Sequence, residues 1–189
     1  MKWRRVPADL PSDEFDLIRQ YFQPLAGEGG LSLSDDVACL EDRNLVISKD
    51  MLIAGVHFLP DDPPHLIARK ALTVNVSDIA CKGARPTGYF LGLALPADCT
   101  ADWLEEFSQG LAQEQFECRI CLLGGDTTRL PAGAPLVISV TMLGEPLAAS
   151  GPVRRIGAAA GDILAVTGTI GDAGLGLAVA TGALSVDVD

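Results

Sequence analysis

Between Ile67 and Ile79 the apolar positions recur at helical rather than alternating spacing: Ile67, Ala71 and Val74 share one face, and Asp78 continues it. Asp61-Asp62-Pro63-Pro64 supplies an opening with proline suited to a first turn, while Gly83 and Pro86 mark the end. The pattern therefore predicts a long helix with a carboxylate on the face it buries. A buried, unpaired carboxylate is costly, so Asp78 protonates, finds a cationic partner or meets a metal ion. Taken alone, a capped or water-exposed Asp in the last helical turn is an equal alternative.

The rest of the chain alternates between strand-like and helix-like runs. Ser12 caps a predicted first helix, with Asp13 and Glu14 in its first turn and Phe15, Ile18 and Phe22 as its apolar stripe. A glycine-rich loop from Gly27 to Gly30 precedes Leu33-Ser34-Asp35-Asp36-Val37-Ala38. Asn44–Ser48 reads as a strand with Lys49-Asp50 at its end, and Met51–Phe58 continues to His57. Gly88–Leu95 is a strand, Thr100 caps a helix with core positions Leu104, Phe107 and Leu111, and Arg119–Leu123 is a short strand leading to Gly124-Gly125-Asp126-Thr127-Thr128-Arg129. Pro135–Leu143 is a further strand. The Gly-, Pro-, Ala- and Arg-rich loop Glu145–Ala160 marks a domain boundary, followed by a predicted strand over Asp162–Gly168 and a helix from Asp172 to about Ala180. One strand and one helix cannot bury a core of their own. The loop divides the chain into 1–148, read as one domain, and 149–189, read as the start of a second.

Composition narrows the partners. With 48% hydrophobic and 21% charged residues the chain is globular. A formal net charge of -11 disfavours direct contact with nucleic acid or an anionic membrane, though divalent cations can still mediate binding of a nucleotide. No run is long enough to span a bilayer, and the basic start Met1–Pro7 lacks the apolar region of a secretory leader. Five scattered cysteines suit a reducing cytoplasm. Cys118-Arg119-Ile120-Cys121 has redox or zinc spacing, but no second pair completes a four-cysteine site, so these cysteines read as core residues.

Four acidic loci, Asp35/Asp36, Asp50, Asp78 and Asp126, each fall where an element is expected to end in a loop. Carboxylates converging from several elements repel unless cations lie between them. Magnesium uses such hard oxygen ligands and bridges to phosphates, so convergence implies metal-assisted phosphoryl chemistry. Four separate, solvated aspartates are the plain alternative. Gly124-Gly125 would let backbone amides approach a phosphate, yet neither a Walker-type loop nor a dinucleotide fingerprint occurs. His57 alone reads more readily as a structural histidine.

Together, Ser34–Ala38, Ser48-Lys49-Asp50, Ala54–Phe58, Ala71–Pro86, Leu123–Arg129 and Gly161-Asp162 with Val166–Asp172 resemble the thiamine-monophosphate kinase family, of the aminoimidazole ribonucleotide synthetase-like superfamily. The resemblance implies ATP-dependent phosphorylation of thiamine monophosphate to thiamine diphosphate by direct transfer, with several magnesium ions, in a cytoplasmic homodimer. It implies an α/β (α+β) fold, with an N-terminal mixed sheet and flanking helices followed by the opening of a second α/β domain. It assigns Asp35, Asp50, Asp78 and Asp126 to metal, Gly125, Asp126 and Arg155 to ATP, and His57 to the thiamine phosphate. Lys49 stands where the family has a metal-associated threonine, and Ser108 where many members carry a tyrosine near the adenine. A non-catalytic dimerising module that binds nucleotide and magnesium, or another ATP-using synthetase of the superfamily, are the alternatives.

Overall fold

The computed structural model describes residues 14–17, 19, 23–26, 28–35, 37–40 and 44–185. Ser12, Asp13, Ile18, Phe22, Gly27 and Asp36 lie outside the described residues. Of the predicted first helix, α1 covers Glu14–Leu17, and Phe15 is exposed rather than buried.

Alternation of buried and exposed positions along the strands sets the architecture. Five strands, β1 (Ala38–Leu40), β2 (Leu45–Ile53), β3 (Ala84–Leu95), β4 (Cys121–Arg129) and β5 (Val137–Pro146), form one sheet in the order β1-β2-β5-β3-β4. The pairs β1–β2, β2–β5 and β5–β3 are antiparallel, while β3 and β4 run parallel. A parallel pair needs a crossover connection, and α3 (Ala101–Cys118) supplies it. The long helix α2 (Pro64–Cys81) joins β2 to β3 and packs across β2, β5 and β3, as well as against α3. This is the mixed α/β sheet with flanking helices that the sequence predicts.

The register assigns each strand residue to a face. Val46, Ser48 and Leu52 of β2 are buried, as are Ile138, Val140 and Met142 of β5, and Tyr89 and Leu91 of β3 pair with Met142 and Val140. These residues form the core with Ile67, Ala68, Ala71, Leu72 and Ile79 of α2. The alternate residues, among them Lys49, Met51, Ser139, Thr141 and Phe90, occupy the opposite face, where Met51 and Phe90 are 54% and 45% exposed. Against α2, α3 buries Phe107, Gly110, Leu111 and Glu114, while Leu104, a predicted core position, is exposed. Thr100 caps α3 as expected, its hydroxyl accepting from the Trp103 N–H at 3.2 Å. A Cβ at Gly110 would come within 2.4 Å of the His65 carbonyl oxygen, so the two helices approach backbone to backbone.

Several boundaries differ from the sequence-based expectation. β2 continues through Lys49 and Asp50 to Ile53, because β5 supplies pairing partners along its whole length. β4 begins at Cys121 and continues through Gly124-Gly125-Asp126 to Arg129, because β3 pairs with it from Gly88 to Leu95. Arg119, with φ 55°, is the left-handed cap of α3, and this places Cys118 on the helix and Cys121 on the strand. Cys121 and Cys81 are exposed, not core residues.

The chain divides into two compact units, Met1–Arg155 and Ile156–Asp189. In the second, α4 (Asp172–Ala180) forms where expected. The predicted strand over Asp162–Gly168 does not, and Ile163 and Leu164 are 92% and 95% exposed. An extended segment becomes a strand only beside a partner that takes up its backbone N–H and C=O groups, and among the described residues none pairs with it.

Candidate functional site

Helical spacing carries Asp78 onto the sheet-facing side of α2, where its carboxylate accepts a 3.0 Å hydrogen bond from the Ser48 hydroxyl of β2. Asp50, two residues beyond Ser48 on the same strand, shares that face. Burial raises the Asp78 pKa above the ordinary value. The Ser48 hydrogen bond and Lys82 oppose this, and the negative charge of Asp50 adds to it. Two carboxylates are thus held close enough to repel.

Asp35 reaches the same end of α2 by a different route. Its carboxylate pairs with the Lys82 ammonium at 2.8 Å, and both side chains are only 4% exposed. Arg154 Nε lies 3.4 Å from Asp35 Oδ2, and the backbone N–H of Arg155 donates to that oxygen at 3.4 Å. Burial alone would raise the Asp35 pKa; the Lys82 hydrogen bond, the Arg155 N–H and the charges of Lys82 and Arg154 outweigh it and lower the value.

The other predicted residues are more dispersed. Asp126 pairs with Gly92, which pairs with Ser139, so by register Asp126 lies on the sheet face opposite to Ser48, Asp50 and Asp78. Lys49 occupies that opposite face, its ammonium donating to Ser139 Oγ at 2.6 Å and Thr141 Oγ1 at 3.4 Å. Gly125 has a structural reason to be glycine: a Cβ there would lie 1.9 Å from the Leu91 carbonyl oxygen. The Ser108 hydroxyl, on an exposed part of α3, donates to the Glu105 carbonyl. His57 sits in the turn after β2, its Nδ1 accepting from the Ile53 N–H at 3.0 Å, which in the neutral ring places the proton on Nε2. A cavity of about 470 Å3, lined by Phe58, Pro96, Trp103 and Leu136 among others, contains none of the predicted site residues.

Sequence reasoning assigned no role to Ser48, Lys82 or Arg154. Lys82 carried a readable signal, a basic residue one helical turn after Asp78 and just before the helix-ending Gly83. Its pairing with Asp35 had none, because it depends on how the chain returns.

Among the described residues, no group of three or more His, Cys, Asp and Glu side chains is arranged to hold a metal ion. The smaller pair Asp50 and Asp78 does fit a hard divalent cation: both donors are carboxylates, and their mutual repulsion is what a cation relieves. No helix among the described residues is long and apolar enough to cross a membrane.

Residues 34–145 match the family described as AIR synthase related protein, N-terminal domain. Over 91% of its length the chain is 45% identical to a thiamine-monophosphate kinase of Caulobacter vibrioides, and over 92% it is 42% identical to one of Escherichia coli. It covers 49% and 53% of those proteins, so it spans about half the length of these relatives. Among solved structures it superposes on AaThiL complexed with AMPPCP and TMP with a TM-score of 0.81, at 30% identity over 93% of this chain and 54% of that one. Thiamine-monophosphate kinase from Stenotrophomonas maltophilia gives a TM-score of 0.67 at 39% identity, covering 86% of this chain and 51% of that one. The chain belongs to the AIR synthase related family through this N-terminal domain, and across it is similar to thiamine-monophosphate kinases.

Proposed function

We propose that this chain is the metal- and nucleotide-binding portion of a cytoplasmic kinase that transfers the terminal phosphoryl group of ATP to thiamine monophosphate, yielding thiamine diphosphate. The observation that carries this reading is the likeness, over 93% of the chain, to a structure holding an ATP analogue and TMP together. Asp35, Asp50, Asp78 and Asp126 are the proposed metal ligands, with Lys49 beside Asp50 supplying a backbone carbonyl or a fixed charge. Gly125, Asp126, Ser108 and Arg155 are proposed for ATP, and His57 for the thiamine phosphate. Bound magnesium would supply charge neutralisation of the polyphosphate. The chain's own part is orientation: α2 is a rigid mount for Asp78, and Ser48 fixes one of its oxygens. The turn at Ile53 and His57 presents the imidazole as an Nε2–H donor, the form that can hydrogen-bond a phosphate oxygen.

A homodimer follows from the same reading. The sheet face opposite α2 leaves Met51 and Phe90 about half exposed, and a second copy covering it would bury them. The competing reading, a dimerising module that binds magnesium nucleotide without turnover, is favoured by one observation: Asp126 lies across the sheet from Asp50 and Asp78.

The test is direct measurement of thiamine diphosphate formed from ATP and thiamine monophosphate at saturating magnesium, beside calorimetry of magnesium nucleotide binding. Product that disappears in Asp78→Asn is expected. Binding that requires Asp78, with no product, selects the module. Binding unchanged in Asp78→Asn removes Asp78 from the metal set.

A further inference from the structure

The carboxylate of Asp35 is already neutralised, and by groups that belong to the chain. The Lys82 ammonium is 2.8 Å from it, with both side chains 4% exposed, and Arg154 Nε and the Arg155 N–H each approach Oδ2 at 3.4 Å. The same segment is fastened to the end of α2 through backbone hydrogen bonds, Leu147 N–H to Gly83 O and Val153 N–H to Lys82 O, each at 2.9 Å. Lys82 is ion-paired to Asp35 and follows Asp78 by one helical turn at the end of α2.

The Lys82 ammonium holds Asp35 Oδ1, and Arg154 Nε and the Arg155 N–H approach Oδ2, so a divalent cation taking either oxygen meets a group already placed there. The like charges would repel at short range in a poorly solvated site, where electrostatic terms are much larger than in water. We propose that Lys82, assisted by Arg154, is a resident counter-charge on Asp35 which a divalent cation must displace, so that metal binding is an exchange rather than the filling of a prepared cage. This rests on the reading of Asp35 as a metal ligand. The exchange accounts for the cationic partners, Lys82 and Arg154, that enclose the Asp35 side chain. It also ties metal binding to the 147–155 segment, because Arg154 and the Arg155 N–H share the carboxylate that the ion takes.

The proposal is tested by titrating Mn2+ into the full chain by calorimetry, with thermal melts in its absence and presence. Lys82→Met removes the competitor, and Mn2+ is expected to bind about tenfold tighter, with a lower metal-free Tm that recovers when Mn2+ is added. Lys82→Arg keeps a cation and is expected to hold the wild-type affinity. Should Lys82→Met fail to fold without metal, Arg154→Gln, at a side chain 40% exposed, carries the same test with a gain of about threefold. Affinity that is unchanged or weaker in Lys82→Met overturns the exchange; for Arg154→Gln the same result overturns the part assigned to Arg154. Asp78→Asn separates the two levels of the argument. If wild type binds Mn2+ and Asp78→Asn does not, the metal reading stands and the Lys82 variants judge the exchange alone. If wild type binds no Mn2+, both are overturned.

Discussion

Replacing Gly110 with alanine tests whether the position of Asp78 depends on how closely α2 and α3 pack. In an isolated helix this change would stabilise by about 1 kcal/mol, since glycine is the poorer helix former. Here the added methyl would lie 2.4 Å from His65 O, 2.6 Å from His65 Cα and 2.9 Å from His65 C, all backbone atoms of α2. No rotamer change relieves contacts of that kind, so the helices must separate by roughly 1 Å to reach ordinary van der Waals distance. Overpacking of this sort costs about 1–3 kcal/mol, and a backbone clash belongs at the upper end. Setting about 3 against the gain of about 1 leaves a net loss of about 2 kcal/mol. With a urea m-value of about 2 kcal/mol/M, the midpoint of unfolding should fall by about 1 M at unchanged slope. Magnesium nucleotide affinity should fall as well, because moving α2 displaces Asp78 relative to Ser48 and Asp50. A midpoint equal to or above wild type would refute the reasoning, because the propensity gain would then be unopposed and the helices could not be packed as described.

The two site carboxylates should leave opposite marks on acid stability. Asp78 has a raised pKa in the folded state, so its ionisation destabilises the fold; stability should rise as pH falls through that folded value toward the unfolded value near 3.9, and Asp78→Asn should abolish the rise in urea midpoints measured across pH. Asp35 has a lowered pKa, so its contribution is complete above the unfolded value and is lost as pH falls through the folded one; Asp35→Asn should flatten that loss, and an unchanged acid limb would remove the Lys82 pair as its cause. Tyr89→Phe should be neutral or stabilising by about 1 kcal/mol, since the Tyr89 hydroxyl is buried with no partner among the described residues; a clear loss in thermal melts would show that the hydroxyl is satisfied. Gly125→Ala should unfold the β3–β4 pairing, because the Leu91 carbonyl oxygen lies 1.9 Å from the new methyl, and a native near-ultraviolet dichroism spectrum would contradict that packing.

Asp78 shows what periodicity can deliver. Its face on α2 follows from Ile67, Ala71 and Val74, because a helix is stabilised by burying one stripe, and its half-buried place against Ser48 agrees. Asp126 shows the opposite case. Gly124-Gly125 reads locally as the end of a strand, since glycine weakens isolated strands. The parallel partner β3 nevertheless carries the pairing through to Arg129, fixing Asp126 on the face away from Asp78. The predicted strand over Asp162–Gly168 fails for the matching reason: the same propensity without a partner forms no ladder.

The sequence by itself determined α2, α3 and α4, most of the strands and the family, because apolar spacing, caps and motif order are local properties of the chain. Only the tertiary structure decided which face each strand residue occupies relative to the others, and which charges meet. The Asp35–Lys82 pair is the plainest instance. Its partners are far apart in sequence, neither carries a periodic signal for the other, and their contact exists because the 147–155 segment and the end of α2 close around one carboxylate.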